Sequence, residues 1–83
     1  MELIWAETAK KDYLYWHQKD KKILQRINKL IEATKQDPFK GIGNPEPLRH
    51  NWTGYWSRRI TKEHRLVYKI KDGILMAQCR YHY

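Results

Sequence analysis

Four side chains in this 83-residue chain have the types that metal-free cleavage of RNA requires. In that reaction the 2′-hydroxyl of the RNA is the nucleophile, so the protein must supply a base that removes its proton. It must also supply cations for the pentacoordinate phosphate and an acid for the departing 5′-oxygen. By type, Glu46 fits the base and His82 the acid, while Arg59 and Arg65 fit the cations. Each also has an ordinary interpretation, because an arginine on a sheet face is commonly just solvated and a penultimate histidine often belongs to a frayed end.

The carboxy-terminal third has the pattern of three antiparallel strands that would bring such groups onto one surface. Strand-like runs at Tyr55–Ile60, His64–Ile70 and Ile74–Tyr83 are separated by short turns, and the second turn contains Asp72-Gly73, a strong hairpin signal. Side chains alternate across a strand, so each run has two faces. The predicted apolar face carries Trp56, Ile60, Leu66, Tyr68, Ile70, Leu75, Ala77, Cys79, Tyr81 and Tyr83. The opposite face, the predicted anion-binding surface, carries Ser57, Arg59, Arg65, Val67, Lys69, Arg80 and His82.

Glu46 lies in the tripeptide Pro45-Glu46-Pro47, which stiffens the loop that carries it. Proline fixes its own φ and pushes the residue before it toward an extended conformation. A carboxylate on such a loop is oriented at little further entropic cost, although an ordinary loop glutamate in a proline turn has the same sequence. Gly41 and Gly43 are only a weak phosphate-loop signal, because no helix is predicted after them. A brief strand is predicted at Leu48–His50.

The amino-terminal half predicts one short strand and two helices. Leu3–Trp5 is the strand; Thr8 is predicted to cap a helix that reaches about Lys19, and Asp20 to cap a helix that ends at Asp37-Pro38. The second helix has an apolar stripe made of Ile23, Ile27, Leu30, Ile31 and Thr34. Helices joined by so few residues form an antiparallel hairpin that needs an apolar sheet to cover. We therefore predict a single α+β domain over residues 1–83, with this hairpin packed on a twisted antiparallel sheet.

Composition points to an acidic polymer or an acidic protein as partner. The formal net charge is +8, and the chain contains four Trp, six Tyr and one Phe. Aromatic rings beside arginine and lysine are what binding of single-stranded RNA requires. The lone Cys79 excludes an internal disulfide, and the four histidines lack the paired spacings of zinc sites, so we expect neither a metal nor another cofactor. No secretory signal or membrane-spanning run is evident, and we expect a cytoplasmic protein.

Several motifs together closely resemble the YoeB toxins, which belong to the RelE-like superfamily of toxin–antitoxin endoribonucleases. The resemblance covers essentially the full length in register. It rests on Asp12-Tyr13-Leu14-Tyr15-Trp16, Pro38-Phe39, Gly41-Ile42-Gly43, Pro45-Glu46-Pro47-Leu48, Trp56-Ser57-Arg58-Arg59-Ile60, His64-Arg65-Leu66-Val67-Tyr68 and Cys79-Arg80-Tyr81-His82-Tyr83. It is similar to YoeB rather than to RelE proper, whose site is dominated by basic residues and lacks the glutamate–histidine pair.

The resemblance implies a toxin that enters the ribosomal A site and cuts mRNA there, inhibiting translation. It implies Glu46 as general base, Arg65 as the arginine that stabilises the phosphate and His82 as general acid. Tyr83 matches the family's chain-terminal tyrosine, and Arg59 a supporting cation. Two further candidates for contacts with RNA phosphates are Arg49, which stands where lysine is expected and differs from it in donor geometry, and Arg80.

The implied partners are the 70S ribosome with its mRNA, and an acidic, YefM-like antitoxin whose flexible tail folds onto the toxin. Operator DNA would be contacted only indirectly, through the antitoxin complex, and the resemblance permits a homodimer.

Three classes of function remain open from the sequence. The first is an mRNA endoribonuclease neutralised by an antitoxin; the second is a non-catalytic module that binds RNA or the ribosome. The third is a regulatory protein that acts only through its partner on operator DNA. The set Glu46, Arg65 and His82 favours the first, because neither alternative needs a carboxylate that faces an anion.

Overall fold

A computed structural model describes residues 1–82 as a two-helix layer packed on a five-stranded sheet. Tyr83, predicted to take part in catalysis, lies outside the described residues. The helices are α1 (Glu7–Lys19) and α2 (Lys21–Gln36). The strands are β1 (Leu3–Trp5), β2 (Glu46–Pro47), β3 (Trp56–Arg59), β4 (Arg65–Ile70) and β5 (Ile74–Gln78). The predicted α+β architecture is confirmed.

Asp20 is the single residue between the two helices, and it forms hydrogen bonds at the end of α1 and at the start of α2. Its backbone N–H donates to the carbonyl of Trp16 at the end of α1, and its Oδ1 accepts from the N–H groups of Lys22 and Ile23 at the start of α2. The prediction of an N-cap at Asp20 is therefore confirmed. The cap predicted at Thr8 is wrong: the N-cap is Ala6, two residues earlier, because the N–H of Ala6 still donates to Met76 of β5 and fixes where the chain enters the helix.

The sheet is mixed, with strand order β1-β5-β4-β3-β2. Strands β3, β4 and β5 pair antiparallel as predicted, and β2 pairs antiparallel with β3, whereas β1 pairs parallel with β5. Turns fix the direction of the three carboxy-terminal strands, but no turn links β1 to its neighbour, so its direction is not encoded locally. The core between helices and sheet includes Trp16, Leu24, Ile27, Leu30, Ile31, Ile60, Leu66, Tyr68, Ile74, Met76 and Cys79.

The predicted faces of the last strand are partly wrong. Ile70 pairs with Ile74 and Tyr68 with Met76, so Ile74 and Met76 are the buried side chains of β5. Leu75 and Ala77 were predicted to point inward and are only half-buried. A bulge between Val67 and Tyr68 then shifts the alternation by one residue, which returns Cys79 to the buried side.

Two predicted strands also have different bounds. The run predicted to reach residue 83 ends as a strand at Gln78, and the run predicted at Leu48–His50 is replaced by pairing at Glu46–Pro47. His50 has a φ of 57°, which turns the chain into a 3-10 helix at His50–Trp52. Within residues 1–82 no helix is long and apolar enough to cross a membrane.

Candidate active site

Four of the predicted site residues line one small cavity on the sheet face away from the helices. This acid–base cavity has a volume of about 200 Å³ and is lined by Asn44, Glu46, Ser57, Arg59, Arg65 and His82. It therefore contains the residue types of a base, two cations and an acid. Asn44 and Ser57 also line it, although no sequence pattern had singled out Asn44.

Arg59 and Arg65 occupy directly opposed positions in the β3–β4 ladder. Like charges at such a pair destabilise a sheet, so the arrangement favours an anion between them. Nη1 of Arg65 donates to the carbonyls of Thr61 at 2.8 Å and Lys62 at 3.1 Å, which fixes its guanidinium against the β3–β4 turn. Within residues 1–82, neither arginine forms a salt bridge with a carboxylate. Within the described residues the contacts of the Arg65 guanidinium are to neutral backbone carbonyls, which leave its positive charge in place.

Glu46 reaches the cavity from the edge strand β2, where it pairs with Ser57 of β3. Nδ2 of Asn44 donates to Oε1 of Glu46 at 2.8 Å, and Asn44 has a φ of 51° that asparagine tolerates better than most residues. The carboxylate is exposed and is oriented by a neutral amide. A carboxylate held in this way can accept a proton from a substrate hydroxyl.

A sharp turn after Arg80 directs His82 into the cavity. The N–H of Arg65 donates to the carbonyl of Tyr81 at 3.0 Å, and the N–H of Tyr81 donates to Nδ1 of His64 at 2.8 Å. Tyr81 has a φ of 64°, an uncommon conformation for a bulky residue. Arg65 and His64 therefore hold the segment that carries His82 beside Arg59 and Arg65. The role of His64 was missed from the sequence, where it was only one of four scattered histidines.

The segment before this turn is attached to α1 rather than to the sheet. Oδ2 of Asp12 accepts from the N–H of Cys79 at 3.0 Å, and Nε1 of Trp16 donates to the carbonyl of Cys79 at 2.8 Å. Burial, and secondarily the charge of Asp12, raises the pKa of the Cys79 thiol to about 12. Burial also raises the pKa of Asp12, partly offset by its bond to Cys79. Cys79 is thus a buried structural thiol, on the apolar side where its position in the last run predicted it.

Arg58 is fully buried and holds the loop that leads to Glu46. Its guanidinium donates to the carbonyls of Asp37 at 2.6 Å, Lys40 at 2.9 Å and Ile42 at 2.8 Å, and to the hydroxyl of Tyr68 at 3.2 Å. A buried cation is retained only when its donors are satisfied, and here backbone carbonyls satisfy them. The sequence analysis missed this role. The sequence does contain a sign of it: Arg58 lies two residues from Trp56 and from Ile60, both predicted to point inward, so its side chain should point inward as well.

The remaining predicted contacts lie outside the acid–base cavity. Arg49 lines a neighbouring depression, the Trp52 depression, formed by residues 46–52. Arg80 stacks between two rings, its guanidinium carbon 3.6 Å from the centre of the Tyr15 ring and 4.5 Å from that of Tyr81. The structure therefore gives Arg80 a packing role and does not bring it to the cavity. No cluster of three or more metal-ligating side chains occurs in the described part of the chain.

A two-helix hairpin on this mixed sheet is the RelE-like fold. Residues 5–83 match the family model described as "YoeB-like toxin of bacterial type II toxin-antitoxin system". The chain is 58% identical over 84 residues to Toxin YoeB of Escherichia coli strain K12, with full coverage of both. The chain belongs to this family of YoeB-like toxins.

Solved structures agree with this assignment. The YoeB/ParE toxin from Agrobacterium tumefaciens superposes with a TM-score of 0.98 at 44% identity, and the match covers all of both chains. Two structures from Staphylococcus aureus, a YoeB dimer and a heterotetrameric YoeB-YefM toxin–antitoxin complex, each superpose with a TM-score of 0.92 at 45% identity. Both matches cover 100% of this chain and 98% of the other.

Proposed function

We propose that this toxin is a metal-independent endoribonuclease that cleaves mRNA in the ribosomal A site and so inhibits translation in the cytoplasm. The observation that carries the proposal is the acid–base cavity, in which Glu46 and His82 flank the opposed pair Arg59 and Arg65. A module that only binds RNA needs the cations but not the carboxylate, which would repel a phosphate.

The proposed reaction is attack of the RNA's own 2′-oxygen on the adjacent phosphorus. Glu46 takes the proton of the 2′-hydroxyl as the bond from this oxygen to phosphorus forms. Arg65, supported by Arg59, stabilises the extra negative charge on the pentacoordinate phosphate. The bond from phosphorus to the 5′-oxygen breaks, and His82 donates a proton to the departing oxygen. The products are a 2′,3′-cyclic phosphate and a free 5′-hydroxyl. Tyr83 remains a predicted participant.

Dependence on the ribosome follows from how little of the substrate the cavity can hold. With a volume of about 200 Å³, it surrounds the scissile phosphate but offers few contacts to the rest of a flexible strand. The attacking 2′-oxygen must lie in line with the bond that breaks, and a free strand rarely adopts that geometry. A ribosome that fixes the codon supplies the orientation, and orientation alone can be worth several orders of magnitude in rate.

We further propose that an acidic, YefM-like antitoxin neutralises the toxin. The YoeB-YefM complex from Staphylococcus aureus supports such a partner, and the YoeB dimer from the same organism supports a homodimer. A net charge of +8 favours rapid, salt-sensitive association with an acidic segment that folds as it binds. Operator DNA is contacted only through the antitoxin.

Primer extension on a translated message, with and without the purified protein, tests the proposed activity. Glu46→Ala, Arg65→Ala and His82→Ala should each remove most of the cleavage, because loss of a general acid or base typically costs ~10²–10⁴-fold. Circular dichroism of each variant checks that the fold is intact. If His82→Ala cleaves normally, the assignment of the acid is wrong. If the unmodified chain binds ribosomes without cutting, it is a binding module.

Hydrogen exchange with and without the cognate antitoxin tests the proposed inhibition. Binding should change protection around Glu46 or across residues 80–82, since displacement of His82 would inactivate the toxin without the antitoxin filling the cavity. Unchanged protection in both regions would rule this mechanism out.

A further inference from the structure

The Trp52 depression adjoins the acid–base cavity and shares Glu46 with it. Its volume of about 620 Å³ is roughly three times that of the cavity. RNA whose scissile phosphate lies between Arg59 and Arg65 would continue past Glu46 into this depression. The two sites therefore form one continuous surface at Glu46.

The Trp52 ring packs against the ring of Tyr55. Trp52 is half-buried, and its ring centre lies 5.1 Å from that of Tyr55 in an edge-to-face arrangement, with an interplanar angle of 88°. Nζ of Lys69 lies 5.2 Å from the centre of the Tyr55 ring and fixes that ring in turn. An indole braced in this way loses little side-chain entropy when a ligand stacks on it.

Backbone hydrogen bonds make the segment that carries Trp52 rigid. The N–H of Leu48 donates to Tyr55 at 2.9 Å, the N–H of Tyr55 donates to Trp52 at 2.9 Å, and that of Trp52 donates to Arg49 at 3.1 Å. His50 is held at a φ of 57° in the same turn. Backbone strain of this kind persists where the surroundings enforce it, and it is common at ligand sites.

The chemistry of the depression suits a nucleobase and its phosphate. It combines the indole of Trp52 with the exposed guanidinium of Arg49 and the exposed imidazole of His50. A flat aromatic surface beside a cation is how single-stranded RNA is commonly bound, because every base has a face that stacks. Arg49 forms no salt bridge with a carboxylate within residues 1–82.

We propose that the Trp52 depression is the subsite for a nucleotide that flanks the scissile phosphate. Trp52 stacks on the base and Arg49 contacts the phosphate beyond it. The proposal rests on the proposed ribonuclease function and adds to it a binding residue, Trp52, that the acid–base chemistry does not require. It also makes the nature of the flanking base a determinant of the cleavage rate.

The test is a cycle that combines a protein substitution with removal of an RNA base. Single-turnover cleavage is measured on ribosomes programmed with a defined message, using the unmodified chain, Trp52→Ala and Trp52→Phe. Each is given the intact message and messages with one abasic nucleotide on either side of the cut. Trp52→Ala should slow cleavage of the intact message by about 5- to 150-fold, the range typical of one stacked base, while Trp52→Phe stays near the unmodified rate.

The proposal is tested by whether the effects of Trp52→Ala and of base removal on the cleavage rate are coupled. At one flanking position, removing the base should slow the unmodified chain as much as Trp52→Ala does, and the two changes together should cost no more than either alone. Phe39→Ala removes an exposed ring that lies outside the acid–base cavity and the Trp52 depression, and it should show no coupling to removal of either base.

If the effects of Trp52→Ala and of base removal on the cleavage rate multiply independently at both flanking nucleotides, the subsite is wrong, although the proposed function still stands. Loss of antitoxin binding by Trp52→Ala without any coupling to the RNA would also overturn the subsite, because it would make the surface a peptide site. No cleavage by the unmodified chain would overturn the proposed function, and the subsite with it.

Discussion

Substitution of the buried Arg58 should cost a substantial part of the stability of the fold, whereas the same substitution at its neighbour Arg59 should cost almost none. Arg58 is completely buried and donates to three backbone carbonyls and the Tyr68 hydroxyl. Arg58→Ala leaves those acceptors without their donor and opens a cavity in the core. Arg59 is exposed, and no hydrogen bond involves its guanidinium within residues 1–82, so its removal leaves nothing buried unsatisfied.

The expected loss follows from the number and burial of these bonds. Hydrogen bonds from a charged group contribute about 1.5–3 kcal/mol each, but they do not add fully, because the loop regains some water when it is released. Each buried acceptor left without its donor costs roughly 1–3 kcal/mol, and the cavity adds to this, so a total loss on the order of 3–5 kcal/mol is expected. At ~0.05–0.15 kcal/mol per residue, a chain of this length has a stability on the order of 4–12 kcal/mol. Arg58→Ala should therefore remove about a quarter of it or more.

Urea denaturation followed by circular dichroism measures the difference. With a slope of ~2 kcal/mol per molar urea, Arg58→Ala should lower the midpoint by on the order of 2 M. Arg58→Lys should recover little, since one ammonium cannot span carbonyls that the guanidinium fork reaches together. Arg59→Ala should stay within about 0.5 kcal/mol of the unmodified chain while losing cleavage activity. A loss below about 1 kcal/mol for Arg58→Ala, or an equal loss for Arg59→Ala, would refute the reasoning.

Three further predictions follow from single contacts. His64→Ala should slow cleavage about 2- to 10-fold without weakening ribosome binding, since Tyr81 loses the acceptor that helps to place His82; an unchanged single-turnover rate would contradict this. Because the folded pKa of Cys79 is raised from 9.0 to about 12, its stabilisation is complete below pH 9 and is lost as the pH rises toward 12. The urea midpoint should therefore fall more steeply between pH 9 and 11 than in Cys79→Ala, and equal slopes would show the thiol is not buried. Gly43→Ala should destabilise by about 2 kcal/mol or more, since its Cβ would lie 2.7 Å from Leu30 at a φ of 84°. The matched Gly54→Ala also has a positive φ, but its added Cβ would meet only Lys69 at 3.9 Å, so it should cost less. If both substitutions lower the urea midpoint equally, backbone strain and not the contact with Leu30 is the cause.

The parts of the fold that the sequence predicted are those set by local chemistry. Asp20 caps α2 through its own neighbours, and alternation along β3 and β4 places Arg59 and Arg65 on one face. The proximity of Glu46 to that face depended on the family resemblance, because nothing local fixes which strand a proline-flanked loop joins. The catalytic roles of these residues remain predictions.

The errors come from long-range contacts that no local pattern encodes. The register of β5 depends on a three-residue connection between Ile70 and Ile74 and on a bulge, and one residue of slip exchanges the faces of a strand. The end of β5 is set by a hydrogen bond from the N–H of Cys79 to Asp12, 67 positions away in sequence. Arg58 was overlooked because charged residues are seldom fully buried unless paired, and its partners are carbonyls of a distant loop.

A single 2′-deoxy substitution in the message tests most directly whether the RNA supplies its own nucleophile. Ribosomes carrying a message with 2′-deoxyribose on the 5′ side of the cut are incubated with the toxin, and the cleavage products are separated and analysed at their ends. The expected result is no cleavage at that bond, and a 2′,3′-cyclic phosphate from the unmodified message. Continued cleavage of the deoxy message, or a product that carries a 5′-phosphate, would contradict catalysis by Glu46, Arg65 and His82 as proposed.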